Sequence, residues 1–254
     1  MSIHIVTHCY AGLLPQYAQH LTYQLSSLVI NKPAVPFRIT VCLSFTDNRT
    51  IEVVNWFRDN HPELNLHTIS MDHRHLFRRA IGRNLARIGA AEELTWFTDV
   101  DHFFGDDCLN SLWLVWARMQ THYTNVTMLW PKSILIHKDH ATGDKETAAV
   151  TEPRLIEIDQ TLFVPKTYTR AIGGIQIVPK SYLDKHGYLN CDATYQQLVS
   201  DLSKPFACFR DDVAFRSLCC KRGKVVSISL PNLFRMRHSL TTYQHQVHTN
   251  SEQF

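Results

Sequence analysis

The sequence has no apolar run near the roughly 18 residues that a membrane-crossing helix needs. Its opening, MSIHIVTHCYAG, has no basic stretch followed by a long apolar one, so no signal peptide is read there. Those two absences give the expectation of a cytoplasmic protein with no transmembrane segment. The seven cysteines are odd in number and never spaced C-x-x-C, which argues against a disulfide framework and against a thiolate zinc site. Without a secretion signal, the glycosylation patterns at Asn48-Arg-Thr50 and Asn125-Val-Thr127 are read as coincidence. Excess charge is scarce too. A net +3 is weaker than a dedicated nucleic-acid binder usually shows, and it excludes none. No internal repeat, low-complexity tract or clear linker divides the chain.

What is present is an ordinary globular balance, 44% hydrophobic and 19% charged over 254 residues, enough to bury a substantial core. The first half alternates. IHIVT, FRITVCLSF, LNLHTIS and ELTWFT have the β-branched and aromatic content of strands. Between them, Pro15–Val29, TIEVVNWFRDNH (opening at a threonine cap) and HLFRRAIGRNLARIGAA carry helical spacing. Such alternation predicts βαβ units and a mostly parallel sheet. Ligands of open sheets bind beyond the carboxyl ends of the strands. The second half is less regular: SLWLVWARMQTHY as a helix, NVTMLW, SILIH and RLIEIDQTLFV as strands, KDHATGDKETAAVTEP as a polar loop, and DDVAFRSLCCKRG as a helix with acids first and bases last.

One stretch stands out. In WFTDVDHFF, Asp99 and Asp101 interrupt an aromatic run where the strand LTWFT ends. Burying an unpaired carboxylate costs several kcal/mol, so a compensating group is expected. Asp-x-Asp suits a hard divalent cation, although the same pattern also caps turns and helices. Upstream, Arg79 and Arg83 lie four apart in FRRAIGRN, either a solvated basic face or a guanidinium clamp for a diphosphate. Downstream, Gly173-Gly174 is either a plain turn or a place where backbone approaches a ligand. Asp211-Asp212 either cap a helix or supply a general base at its N-terminus. His238, in SISLPNLFRMRHS, is either structural or a ligand completing a metal site with the aspartates.

Taken in order, these pieces resemble the GT-A-fold glycosyltransferases, specifically the β-1,4-galactosyltransferase type with its chondroitin-polymerase-like and family 2 relatives. FRRAIGRN is similar to the segment before the family's metal motif, and FTDVDHF to that motif itself. IGGIQIVPKSYLDKHGYLN resembles the Gly-Gly strand and following turn, DDVAFRSLCCKRG the catalytic helix, and SISLPNLFRMRHS the closing Arg-His-Ser segment. The likeness runs from about Ile3 to Ser239.

The resemblance implies an α/β, Rossmann-like, nucleotide-sugar-binding GT-A fold with a mostly parallel central sheet and an Asp-x-Asp motif. With no linker or repeat, the chain reads as a single domain over residues 1–254, with a nucleotide-binding half (1–105), a donor/acceptor half (106–240) and a tail (241–254). The resemblance also implies residue roles. Asp101 and His238 would ligate Mn²⁺ or Mg²⁺, and Asp99 would bind the metal or the donor nucleotide. Arg79, with Arg83, would contact the diphosphate of a UDP-sugar, and Gly173 and Gly174 would border it. Asp212, with Asp211 as a possible sharer, would be the base of an inverting hexosyl transfer to a hydroxyl. The family's Trp-Gly-Trp-Gly-Gly stretch is absent, and KPFACFRDD stands there instead. The N-terminal Pro-Phe-Arg-x-Arg donor motif is missing as well. The sugar and the acceptor are therefore left open.

The acceptor expected is a glycan or a hydroxymethylated DNA base, in a bacterial or viral setting. Arg210, Lys221, Arg222, Lys224, Arg235 and Arg237 are candidates for a basic rim that would suit DNA or an anionic polysaccharide equally. The alternative from another class is a catalytically silent relative that binds a nucleotide sugar or glycan; retention of both acid pairs argues against it. A nucleotidyltransferase using the same Asp-x-Asp is disfavoured by the Arg-His-Ser and Gly-Gly segments.

Overall fold

A computed structural model describes residues 2–12, 16–138, 152–189 and 211–236. Strands β1 (Ile3–Cys9), β2 (Phe37–Ser44), β3 (Leu66–Met71) and β4 (Leu94–Thr98) pair in parallel in the order 3-2-1-4. The chain then continues through β5 (His102–Phe104), β6 (Val126–Pro131), β7 (Ser133–His137), β8 (Phe163–Thr167), β9 (Ile175–Pro179), β10 (Lys224–Ile228) and β11 (Leu233–Arg235). β9 enters beside β4 antiparallel to it, and β6 and β10 follow, so seven strands run in the order 10-6-9-4-1-2-3. The mostly parallel sheet expected from the alternation is there, built from both halves of the chain. β5, β11, β7 and β8 form a second sheet of four strands.

The helices are α1 (Gln16–Asn31), α2 (Asn48–Asn60), α3 (His73–Leu76), α4 (Arg79–Arg87), α5 (Cys108–His122), α6 (Lys180–His186) and α7 (Asp211–Arg222). The main core lies on the two faces of the large sheet. β4 is buried at every position and β1 at every position but His8, as strands covered on both faces of a sheet are, with His4, Thr7, Thr95 and Thr98 as polar members. A smaller cluster of Tyr23, Phe103, Phe163, Phe234 and Met236 fastens the second sheet to α1.

α1 is unusual in burying polar residues, among them Gln24, Ser26 and Ser27. Their partners explain it. Gln24 Nε2 donates to the carbonyls of Asp99 (3.2 Å) and His102 (2.9 Å). Ser27 Oγ accepts from Phe104 N–H (3.1 Å), and Asn31 Nδ2 donates to Phe104 O (2.8 Å). α1 therefore clamps the turn between β4 and β5 by its backbone, satisfying polar groups that a buried turn would otherwise leave unpaired.

Three expected boundaries move. α2 opens at Asn48, not at a threonine cap: Asp47 accepts from Thr50 N–H (3.3 Å) and from Ala11 N–H (2.6 Å), so one carboxylate caps the helix and ties down the loop after β1. The long helix expected over HLFRRAIGRNLARIGAA is broken at Phe77–Arg78 into α3 and α4; the Phe77 ring packs edge-on to Tyr10, and α4 starts afresh at Arg79. The strand expected over RLIEIDQTLFV begins only at Phe163. Ile156 and Ile158 still pack on the small core, but Ile156 N–H donates to Ser26 Oγ (3.0 Å) instead of to a neighbouring strand.

Candidate active site

The Asp-x-Asp turn leaves β4 at the carboxyl end of the parallel strands, where its sequence position implied. Arg79, the first residue of α4, reaches across to it. Its Nη1 donates to Asp99 Oδ1 at 2.6 Å, and its Nη2 lies 3.8 Å from Asp211 Oδ1 and 3.9 Å from Asp212 Oδ1. One guanidinium thus stands between acids that are more than a hundred residues apart in the chain. Burial works against ionising Asp99, but the Arg79 guanidinium outweighs it and keeps its pKa below the ordinary carboxylate value. Burial likewise opposes the charge on Arg79, yet Asp99, Asp211 and Asp212 hold it protonated.

Asp101 is deeper. Its Oδ2 accepts from Arg235 Nε at 2.9 Å, and its Oδ1 lies 2.8 Å from His102 Nδ1. The contact follows from register: in the antiparallel β5–β11 pair, Arg235 sits opposite His102. Asp101 raises the pKa of Arg235 in return.

The two acids that open α7 differ sharply. The Asp211 side chain is 3% exposed, and both its oxygens are taken: Oδ2 accepts from Ala80 N–H and Oδ1 from Asp212 N–H, each at 2.9 Å. It caps the first turn of α4, whose dipole favours a negative charge there. The Asp212 side chain is 19% exposed and its carbonyl accepts from Gln176 Nε2 (2.9 Å). Of the pair, Asp212 is the acid presented to the cleft.

Gly173 and Gly174 form the wall between the two pairs. A Cβ on Gly173 would come within 2.8 Å of Asp212 Oδ2; one on Gly174 would come within 2.8 Å of Asp99 Oδ2 and 2.5 Å of His102 Cε1. Only a hydrogen in place of a side chain lets the backbone pass this close. The close approach allowed for in the sequence exists, against the acids themselves.

Arg83 departs from the expected two-arginine clamp. Its side chain is fully buried between the rings of Phe97 and Tyr188, donating to the Tyr188 hydroxyl and to Gly173 O (3.2 Å). The four-residue spacing places both arginines on one face, but only Arg79 meets the acids, while Arg83 is taken up by the aromatic rings and Gly173. There it braces Gly173, and through Gln176 the start of α7.

His238 lies outside the described residues, as do Arg210 and Arg237. The expected basic rim is only partly formed among the described residues: Arg235 is at the site, whereas Lys221 and Arg222 end α7 and Lys224 opens β10, at the far end from Asp211 and Asp212. Tyr188 belongs to the turn that the resemblance places beside donor and acceptor, whereas Gln176 and His102 carry no expected role of their own. The signal that points to His102 is its place directly after Asp101 in the sequence.

A divalent ion fits the donor set. Carboxylate oxygens of Asp99 and Asp101 and an imidazole nitrogen of His102 all lie within 4.8 Å of one another. Hard-cation bonds of about 2.1–2.5 Å hold two donors of one ion at most about 4–5 Å apart, so little movement is needed. The Gly174 backbone closes one side of this cluster.

No family model matches the chain, and no curated protein does. Solved structures do, at the level of fold. A chain of S. aureus TarS, residues 1–349, in complex with UDP matches over 97% of this chain and 63% of its own length (TM-score 0.59, 14% identity). The same protein with UDP-GlcNAc matches over 94% of this chain and 59% of its own length (TM-score 0.56, 14% identity). The mannosyltransferase PcManGT from Pyrobaculum calidifontis, with GDP-Man and Mn²⁺, matches over 92% of this chain and 56% of its own length (TM-score 0.51, 13% identity). The chain thus spans about three fifths of the length of these relatives and has the GT-A fold. No described helix is long and apolar enough to cross a membrane.

Proposed function

We propose that the chain is a metal-dependent glycosyltransferase that moves a hexose-type sugar from a UDP-sugar to a hydroxyl acceptor with inversion. The observation that carries this is the convergence of both acid pairs on Arg79 beside the Gly173-Gly174 wall, at the carboxyl end of the sheet. In folds of this shape that end is where nucleotide ligands bind. The fold neighbours solved with UDP, UDP-GlcNAc, or GDP-Man with Mn²⁺ support a nucleotide sugar as the ligand.

Asp99 and Asp101, with an imidazole from His102 or His238, would hold Mn²⁺ or Mg²⁺. When bound, that ion would supply Lewis-acid stabilisation of negative charge on the departing diphosphate. Arg79 would exchange part of its pairing with Asp99 for a diphosphate oxygen, a bidentate fork suited to it. Asp212 would take the proton of the acceptor hydroxyl as its oxygen bonds to the anomeric carbon, and the bond to the diphosphate oxygen breaks with its electron pair leaving on the diphosphate. Gln176 and Arg83 would fix the position of Asp212 through backbone contacts. A glycan or a hydroxymethylated DNA base is the acceptor class proposed, and the single described arginine at the rim favours neither.

The test is a panel of nucleotide sugars, scored by thermal shift and slow hydrolysis with Mn²⁺ and with EDTA. One UDP-sugar that stabilises the protein and is hydrolysed only with metal supports the proposal. Binding without turnover on every acceptor tried would favour a silent binding protein instead.

A further inference from the structure

The Asp-x-Asp motif accounts for two of the three groups that meet at the site. The third is unexplained by it. His102 is 0% exposed, and neither ring nitrogen makes a hydrogen bond of acceptable geometry. A buried imidazole ordinarily satisfies at least one nitrogen, since an unpaired buried polar group costs about 1–3 kcal/mol. Here Nδ1 points instead into the acid cluster, 2.8 Å from Asp101 Oδ1. That is close to the separation of adjacent donors on one ion with bonds of about 2.1 Å, roughly 3 Å.

We infer that His102 is a direct imidazole ligand of the site's divalent cation, contributed from the motif's own turn, and that this makes the site selective for Mn²⁺ over Mg²⁺. The inference rests on the proposed metal-dependent reading. Three structural features prepare the ring for the task. The Gly174 backbone packs against Cε1 and Asp99 Oδ2 where a side chain would intrude. Gln24 fixes the backbone carbonyls of both Asp99 and His102. Arg235 takes Asp101 Oδ2 and so turns Oδ1 toward the ring. Arg235 is in this sense a positioning residue: it can stay on one oxygen while the other binds an ion. The selectivity follows from the donors. Oxygen-only sites suit Mg²⁺, whereas imidazole nitrogen is a better ligand for transition-metal ions.

The test measures Mn²⁺ on the intact protein with UDP present, by titration of free Mn²⁺ and by the nitrogen coupling of bound Mn²⁺ in pulsed electron paramagnetic resonance. The variants are His102→Gln and His238→Ala. The expected result is an imidazole-nitrogen coupling in the native protein that survives in His238→Ala, together with at least tenfold weaker Mn²⁺ binding and a smaller change for Mg²⁺ in His102→Gln. Should His102→Gln fail to fold, His238→Ala alone still decides, because the coupling must then persist. A coupling lost in His238→Ala, or Mn²⁺ bound with no nitrogen coupling, overturns the role of His102 while leaving a metal site. No Mn²⁺ binding at all by the native protein, with or without UDP, overturns the metal reading and the inference with it.

Discussion

The turn after β4 and the first turn of α7 each present two aspartates, and the protein treats them in opposite ways. At the turn, the acid nearer the strand is half open and the later one is buried. At the helix, Asp211 is sealed by two backbone amides and Asp212 is left to the cleft. Each pair thus has one fixed member, but the fixed members have different companions. Asp101 meets a cation and an imidazole, as a metal ligand would; Asp211 meets amides, as a helix cap does. Environment, and not residue type, divides the labour.

Substitutions separate the two acid pairs. The largest effect is expected at the turn: Asp101→Asn should remove metal-dependent turnover altogether and lower stability by about 1–3 kcal/mol, because Arg235 loses its partner. Turnover retained under the same metal dependence would show that the turn does not hold the ion. Next, the two glycines should fail differently, since a methyl group forced into either wall costs about 1–3 kcal/mol. Gly174→Ala presses on Asp99 and His102 and should weaken donor and metal binding, whereas Gly173→Ala presses on Asp212 and should slow turnover with donor affinity kept. Identical kinetic phenotypes would erase the division.

A smaller effect concerns pH. His4, bonded to Thr40 (2.8 Å), is pushed down to about 3 by burial and then by Arg38; His8 is also pushed well below its ordinary value by burial, Arg83 and Arg79. Both are neutral in the folded chain, while the unfolded chain protonates them below about pH 6.5. Stability is therefore full above that value and falls as pH drops, for His4 by about 2 kcal/mol between pH 6.5 and 5. Urea unfolding at pH 7 and 5 checks this, with His4→Gln reducing the loss. A stability unchanged across that range would contradict it.

Much of this is legible in the sequence. Strand–helix alternation carries the parallel sheet, and Asp99–Asp101 announce themselves because carboxylates in an aromatic strand end need compensation. What local pattern cannot carry is register across distance. Arg235 meets Asp101 because β11 lies antiparallel to β5 with Arg235 opposite His102, a pairing 133 residues apart in sequence. Arg83 parts from Arg79 because its guanidinium packs against the rings of Phe97 and Tyr188, the second of them 105 residues away. The polar face of α1 likewise makes sense only once the turn it clamps is in place.

In the proposed division of labour, the turn binds the donor and the helix supplies the base. It is tested most directly by measuring donor affinity and single-turnover rate on the same preparations of native protein, Asp212→Asn and Asp211→Asn. Asp212→Asn is expected to bind the UDP-sugar with native affinity and to lose about 10²–10⁴-fold in rate. Asp211→Asn is expected chiefly to lower the unfolding midpoint. A full rate in Asp212→Asn, or a donor affinity that collapses with it, would contradict the assignment.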